Sequence, residues 1–281
     1  MKEHGVFVCA ASAAIALAAG GASAGHWASA VIDYDPGTDP AFGYTDPAAA
    51  LGAASRMSGA SFGFPSVVSP FSPPFETDQI VSIGHGGSIT LRMGRKIRDA
   101  AHHAFGVDFI VFANAGFIDV GYPSGLVGNA PTLFGVGASV LIEASNDNLH
   151  WFTVEMRRLD LFPTLGYLDS GPFDALPGSI ESDFRVAMDP SLSLSDVAGL
   201  SYAELIALYG TSGGGIGLDL ASSGLSEARY LRFTHGGDSF EPFEIDAVSV
   251  VPAPGGLAAL MVGAGLALRR SRSSAKERGC F

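Results

Sequence analysis

The carboxylates that could do chemistry in this sequence stand near the two ends of its central part. Asp33 and Asp35 lie close together early in the chain, and Asp246 lies far along it between apolar Ile245 and Ala247. Calcium prefers several hard oxygens from carboxylates and backbone carbonyls. Asp33, Asp35 and Asp246 are therefore candidate ligands of a structural calcium ion. The alternative is that Asp246 only accepts hydrogen bonds that fix a turn.

Aromatic residues in segments rich in Gly and Pro form a second group of candidates. Tyr122 and Tyr167 both stand in such segments. An aromatic ring presented on a loop can stack on the face of a sugar ring, because it offers a large apolar surface with a polar tip. Tyr122 and Tyr167 are thus candidate ligand-binding residues. Trp151, by contrast, has the alternate spacing of a strand residue, so we expect it in the core.

The sequence contains no convincing catalytic set. Ser212 is flanked by Thr211 and glycines, but a predicted helix precedes it, which reverses the order of a hydrolase nucleophile elbow. Cys9 and Cys280 lie at opposite ends, so we expect neither a disulfide framework nor a Cys-ligated zinc. We predict no enzymatic activity. The alternative is a secreted glycoside hydrolase, which needs two carboxylates about 5–10 Å apart across a cleft.

Composition limits the classes of protein and partner. The chain has 281 residues, 47% of them hydrophobic, with 16 Lys and Arg against 28 Asp and Glu. This apolar content is typical of a folded chain with room for one large domain or two small ones. An acidic protein repels polyanions, and no internal basic patch stands out along the sequence. We therefore expect no nucleic-acid binding.

The N-terminus has the pattern of a secretory signal. Lys2 precedes an apolar stretch from Val6 to Ala19, and Ala22-Ser23-Ala24 follows. The apolar stretch is too short for a membrane span, and the small residues suit signal peptidase. Residues 1–24 are predicted to be a signal peptide cleaved after Ala24, so the chain would use the secretion machinery.

The C-terminus combines three elements in order. Pro252 and Pro254 are followed by the apolar run Leu257–Leu268, a predicted short transmembrane helix. The basic residues Arg269, Arg270 and Arg272 come next and would stay cytoplasmic. Residues 252–281 resemble the PEP-CTERM sorting signal of exported bacterial proteins, in a Val-Pro-Ala-Pro variant. The resemblance implies an exosortase-type sorting enzyme as partner, transient anchoring in the inner membrane, and a final place at the cell surface, in the outer envelope or outside the cell.

Residues 25–251 have the rhythm of an all-β domain, since short runs of β-branched and aromatic residues alternate with turn residues. The predicted strands are Gln79–Ile83, Ser88–Met93, Asp108–Ala113, Ser139–Ser145, Trp151–Glu155, Arg229–Thr234 and Glu244–Val251. Two short helices are expected, one over Ala48–Gly52 and one after the capping box of Ser201 and Glu204. Residues 159–200, rich in Pro, Gly, Ser and Asp, are predicted to form a long loop.

Three segments of this domain resemble the discoidin-like, or galactose-binding-like, sandwiches. Val140–Val154 looks like their strand, Asn/Asp turn and Trp-containing strand, and Ala228–Phe233 and Phe243–Val248 look like their two closing strands. The resemblance implies a jelly-roll β-sandwich with short helical insertions, in which a structural calcium often bridges the first and last strands. Together with the terminal signals it predicts a non-catalytic binding or structural module of the envelope or extracellular matrix, with a polysaccharide as the expected partner.

Overall fold

The computed structural model describes residues 24–59, 65–159 and 161–252. In chain order its strands are β1 (Ala28–Asp35), β2 (Met57–Ser58), β3 (Ser66–Val67), β4 (Val81–Ile83), β5 (Ser88–Arg98), β6 (Phe109–Phe112), β7 (Gly116–Phe117), β8 (Leu133–Phe134), β9 (Val140–Ser145), β10 (Phe152–Arg157), β11 (Ile216–Leu218), β12 (Glu227–His235), β13 (Phe243–Ile245) and β14 (Ala247–Val250). The α-helices are α1 (Leu194–Val197) and α2 (Tyr202–Tyr209). The all-β prediction is confirmed.

Two antiparallel sheets share one hydrophobic core. The larger has five strands in the order β1-β5-β12-β9-β10, and the smaller has three in the order β11-β6-β14. Leu91, Ile142 and Phe233 from the larger sheet meet Phe109 and Val111 from the smaller one in a single buried cluster. Their burial removes apolar surface from water and is the main force that holds the two sheets together.

The smaller sheet is also covered on its other face. Ile110 and Phe112 alternate with the residues that enter the main core, and they contact a second cluster that contains Trp27 and Phe184. A strand buried on both faces reads as a continuous apolar run, because neither face needs polar side chains. This is the pattern of β6, where all four residues are buried.

The segment predicted as a long loop has a hydrophobic cluster of its own. Phe162, Leu165 and Met188 pack with Leu205 and Tyr209 of α2. Short helix α1, which the sequence reading missed, contributes to the same cluster. The loop prediction was therefore wrong in part: the described residues of this segment form no strand, but they include α1 and bury apolar side chains.

The predicted helix after Ser201 is confirmed as α2. Ser201 Oγ accepts a hydrogen bond from the backbone N–H of Glu204, and the Glu204 carboxylate accepts one from the Ser201 N–H at 2.9 Å. These two bonds satisfy N–H groups that a helix start leaves without partners. The other predicted helix is a short 3₁₀ turn over Pro47–Ala50, capped by Asp46.

All seven predicted strands are present, with limits that differ from the prediction. The last one, Glu244–Val251, is divided at Asp246 into β13 and β14. Trp151 precedes β10 and is half-buried, with the Arg232 guanidinium 4.3 Å above its ring, so the prediction that it lies in the core was wrong. Within the described residues, no helix has the length and apolar character needed to cross a membrane. The run Leu257–Leu268, predicted to be a short transmembrane helix, lies outside the described residues.

Candidate functional site

A groove lined by aromatic rings lies beside Tyr122. The Tyr122 side chain is 75% exposed, and its ring centroid is 5.1 Å from that of Phe173. The groove has a volume of about 450 Å³. Its lining consists of three aromatic residues, two serines, a proline and an alanine: Pro65, Ser66, Ser72, Phe75, Tyr122, Phe173 and Ala175.

Asp119 shapes the loop that carries Tyr122. Its Oδ1 atom accepts hydrogen bonds from the backbone N–H groups of Gly121 and Leu126, both at 2.8 Å, and its Oδ2 atom accepts one from Gly125 at 2.9 Å. An aspartate side chain that accepts hydrogen bonds from several nearby backbone N–H groups stabilises a tight loop. Its carboxylate replaces the backbone carbonyl acceptors that a strand or helix would supply. Tyr122 therefore stands on a loop held from within.

A second aspartate-bound loop carries Phe173. Asp174 Oδ2 accepts a hydrogen bond from the Gly171 N–H at 2.7 Å, and the backbone carbonyl of Asp174 accepts one from Val67 in β3. Further along, Asp169 accepts hydrogen bonds from the N–H groups of Ser179 and Ile180, and these bonds lower the pKa of Asp169. The two loops thus hold their aromatic rings against each other.

Gly125 lies where the two loops pack closely against each other. Its φ is +73°, and a Cβ atom added there would lie 3.0 Å from Cβ of Tyr202 and 3.1 Å from Cβ of Pro172. Any larger residue would be strained by its backbone conformation and crowded by these neighbours. Gly125 therefore lets the Tyr122 loop approach Pro172, the residue before Phe173.

The groove combines apolar planes with hydroxyl groups. Ser66 Oγ and Ser72 Oγ lie 2.7 Å apart at its wall and share a hydrogen bond. Its volume falls in the range of small-ligand sites, roughly 300–1,000 Å³. No Asp or Glu stands among the described lining residues. This arrangement can stack on the apolar face of a ring and hydrogen-bond to hydroxyl groups.

Tyr167 lies elsewhere and contacts Arg56. The Arg56 guanidinium is 5.8 Å from the centre of the Tyr167 ring and 4.2 Å from that of Phe184. Arg56 also donates hydrogen bonds to the carbonyls of Gly166 and Ser182. The structure therefore does not bring Tyr167 and Tyr122 into one site: Tyr167 covers a partly buried arginine.

The three predicted calcium ligands do not converge. Asp33 and Asp35 are exposed on β1, whereas Asp246 is buried and accepts hydrogen bonds from Ser55 N–H at 2.9 Å and Ser55 Oγ at 3.0 Å. Burial raises the pKa of Asp246 to about 7, against the lowering effect of the two bonds from Ser55. Asp246 thus ties Ser55 to the junction of β13 and β14, and calcium binding by these residues stays a prediction.

Another group of carboxylates does converge. Among the described residues, Asp99, Asp108 and Asp219 are the three acids whose ligand oxygens lie within 4.8 Å of one another. Asp108 is fully buried and accepts hydrogen bonds from His103 Nδ1 at 2.6 Å and from the Leu220 N–H at 2.9 Å. Burial raises the pKa of Asp108, partly offset by these bonds. Asp108 therefore links the start of β6 to the turn at Leu220.

The remaining candidates have structural surroundings or lie outside the described residues. Ser212 is 1% exposed, and its Oγ donates a hydrogen bond to the Val186 carbonyl at 2.6 Å, so it offers no free nucleophile. Ala24 begins a short 3₁₀ turn, and Pro252 follows β14 by two residues. The structure does not describe the other residues of the sorting motif, which are Pro254, Arg269, Arg270 and Arg272.

Two aromatic residues of the groove, Phe75 and Phe173, were not predicted from the sequence. Phe75 follows Pro74, and Phe173 follows Pro172, just as Tyr122 precedes Pro123. All three aromatic residues stand next to a proline in a loop, and this is the sequence signal that they share. Proline cannot donate the backbone hydrogen bond that a central strand needs, so its neighbour is not expected in such a strand. No protein-family model matches the sequence, and no curated protein matches it.

Proposed function

We propose that this protein is an exported module of the cell surface or extracellular matrix that binds a glycan without transforming it. The groove beside Tyr122 carries this proposal. Its tilted pair of rings, Tyr122 and Phe173, presents an apolar plane to solvent, while Ser66 and Ser72 add hydroxyl groups. A sugar has the matching chemistry, since its ring faces are apolar and its edges bear hydroxyls.

The groove favours binding over hydrolysis. A glycoside hydrolase that used this groove would need two carboxylates on opposite sides of the bond to be cleaved. The described lining supplies aromatic, serine, proline and alanine side chains instead. The carboxylate-dependent hydrolase remains the alternative function, and its sign would be a shortened glycan after incubation.

The location follows from the terminal segments. A signal peptide of residues 1–24 would direct the chain to the secretion machinery, and the PEP-CTERM-like segment 252–281 would present it to an exosortase-type enzyme. The resemblance of the core to galactose-binding-like jelly rolls belongs to the same proposal. An envelope or matrix polysaccharide is then the expected partner, with calcium as an optional structural ion.

An array of neutral glycans tests the proposal with the full-length protein and two variants. Tyr122→Ala removes the exposed ring of the groove, whereas Phe42→Ala removes a fully exposed ring outside it. We expect at least one glycan to bind, with affinity about tenfold weaker for Tyr122→Ala and unchanged for Phe42→Ala. No binding at all, or equal binding by Tyr122→Ala, would contradict the assignment of the groove.

A further inference from the structure

The few cations of the core are concentrated on two neighbouring strands. Outside residues 1–24 and 255–281 the chain has ten Lys and Arg against 26 Asp and Glu. Six of those ten lie on β5 and β12: Arg92, Arg95, Lys96, Arg98, Arg229 and Arg232. The same strands contain one carboxylate, Glu227. The sequence was expected to contain no internal basic patch, but Arg92, Arg95, Lys96 and Arg98 lie within seven residues of one another, and antiparallel pairing adds Arg229 and Arg232 from β12.

The register of these strands brings Arg92 and Arg98 close together. Arg92 pairs with Tyr230 and Arg98 with Glu227, so their partners on β12 are only three residues apart. Three strand residues span about 10 Å. Residues 93–96 of β5 are accommodated by a register shift, which shortens the distance that six extended residues would cover. Arg229 lies on β12 between the two partner residues.

Three of these arginines form no close ion pair, although Glu227 lies opposite Arg98 on β12. Among the described residues, no carboxylate oxygen lies within 4.0 Å of the guanidinium of Arg92, Arg98 or Arg229. The neighbouring Lys96 does form an ion pair, with Glu227. Arg92 and Arg98 are exposed, and Arg229 is half-buried. We call these three arginines and the half-buried Tyr230 the basic strip.

We propose that the basic strip binds a linear polysaccharide that carries carboxylate or sulfate groups. An arginine without a partner presents its planar fork of N–H donors to solvent, and this fork matches the two oxygens of such an acidic group. Tyr230, which pairs with Arg92 across the strands, adds an aromatic surface for a sugar ring. The inference is independent of the groove beside Tyr122, whose described lining is uncharged.

The acidic surface around the basic strip favours a thin anionic ligand over a broad one. The core has sixteen more carboxylates than cations, so most of its surface repels anions. At physiological salt, charges are screened beyond about 8 Å. A thin polysaccharide chain that follows β5 and β12 meets one carboxylate on these two strands, Glu227, whereas an anionic bilayer is broad and would face more of the acidic surface. The strip therefore fits a single acidic chain better than a membrane surface.

Titration of the full-length protein with a polyuronate, such as alginate, tests the proposal at low salt. The variant Arg92→Gln/Arg98→Gln removes two charges of the strip. The control Arg157→Gln/Arg158→Gln removes two charges near the end of β10, where each arginine has a carboxylate within 4.0 Å. Both variants have the same net charge, so a difference between them reports the position of the charges. Circular dichroism checks that both keep the fold.

We expect the polyuronate to bind the unmodified protein, with affinity that falls as salt increases. The strip variant should bind about tenfold more weakly, and the control variant within about twofold of the unmodified protein. Three results would overturn the proposal: absence of binding at low salt, equal losses in the two variants, or tighter binding to vesicles of anionic lipid than to the polyuronate. Loss of neutral-glycan binding by Tyr122→Ala would leave this result unchanged, which separates the two sites.

Discussion

Asp246 shows at the scale of a single residue how burial changes a carboxyl group. Its side chain is excluded from water and accepts hydrogen bonds from Ser55, and it forms no ion pair among the described residues. The pKa of Asp246 is therefore raised from 3.8 to about 7. Between these two values the folded state holds a proton that the unfolded chain has already released. The contribution of Asp246 to the free energy of unfolding then decreases as the pH rises from about 4 to about 7.

The variant Asp246→Asn tests this linkage, because an amide keeps the shape of the carboxyl group and cannot ionise. We expect urea unfolding of the unmodified protein to lose on the order of 2–4 kcal/mol from this group between pH 4 and pH 7. The free energy of unfolding of Asp246→Asn should not contain this loss over the same pH range. The control Asp33→Asn, which changes an exposed carboxylate on β1, should retain the slope of the unmodified protein. Identical slopes for all three proteins would show that folding does not raise the pKa of Asp246.

Single residues could be predicted only where the sequence itself fixes their surroundings. Tyr122 was predicted as a surface aromatic from its Gly/Pro-rich neighbours, and it is exposed. Its partner Phe173 was not, because their contact depends on two loops that lie about 50 residues apart. The bond between Asp246 and Ser55 was beyond prediction for the same reason: it spans 191 residues.

At the scale of elements, the approach of the two groove loops depends on Gly125. We expect Gly125→Ala to destabilise the protein by about 2 kcal/mol, since the new Cβ combines a left-handed backbone with close contacts to Tyr202 and Pro172. It should also weaken glycan binding, because the displaced loop moves Tyr122 away from Phe173. Chemical denaturation and glycan titration measure the two effects.

Gly86→Ala is the matched control for this variant. Gly86 also has a positive φ, +76°, but no atom lies within 4 Å of an added Cβ. Gly86→Ala should therefore cost about 1 kcal/mol from backbone strain alone and leave glycan binding unchanged. If both variants bound the glycan as the unmodified protein does, the approach of the two loops would not be needed for binding.

Strands with clear alternation and turn boundaries were predicted, whereas irregular ones were missed. The hairpin of β9 and β10 was identified from its Asn and Asp turn, in which Asn148 has a φ of +64°. Strand β1 was missed because its pairing with β5 has two register shifts, which disturb the period of two. Strand β11 has only three residues and follows three glycines, so its sequence offers too little pattern.

At the scale of the whole molecule, we propose that the terminal segments direct the protein to its location. Deletion of residues 252–281 should release it from membrane retention in a host that has the sorting enzyme, with the β-sheet core intact. Replacement of Arg269, Arg270 and Arg272 by uncharged residues should impair retention, because charged side chains resist passage through hydrocarbon. Cell fractionation measures both effects. The same distribution for full-length and truncated proteins would show that the tail has no sorting role.

The class of fold could be predicted for the whole molecule, but its surfaces could not. Local patterns fix strands and turns, so the all-β architecture followed from the sequence. The basic strip depends on the pairing of Arg92 with Tyr230, and the groove depends on loops that meet only after the sheets form. Such surfaces are products of the topology, although four of the six cations on β5 and β12 already cluster within residues 92–98.

The most direct test of the central claim is a crystal structure of the protein with the neutral glycan that binds best on the array. We predict that an intact sugar ring lies in the groove with its apolar face against the Tyr122 ring, near Phe173, and with hydroxyl groups directed to Ser66 or Ser72. A glycan bound at another surface, or one found cleaved in the groove, would contradict a non-catalytic binding site at Tyr122.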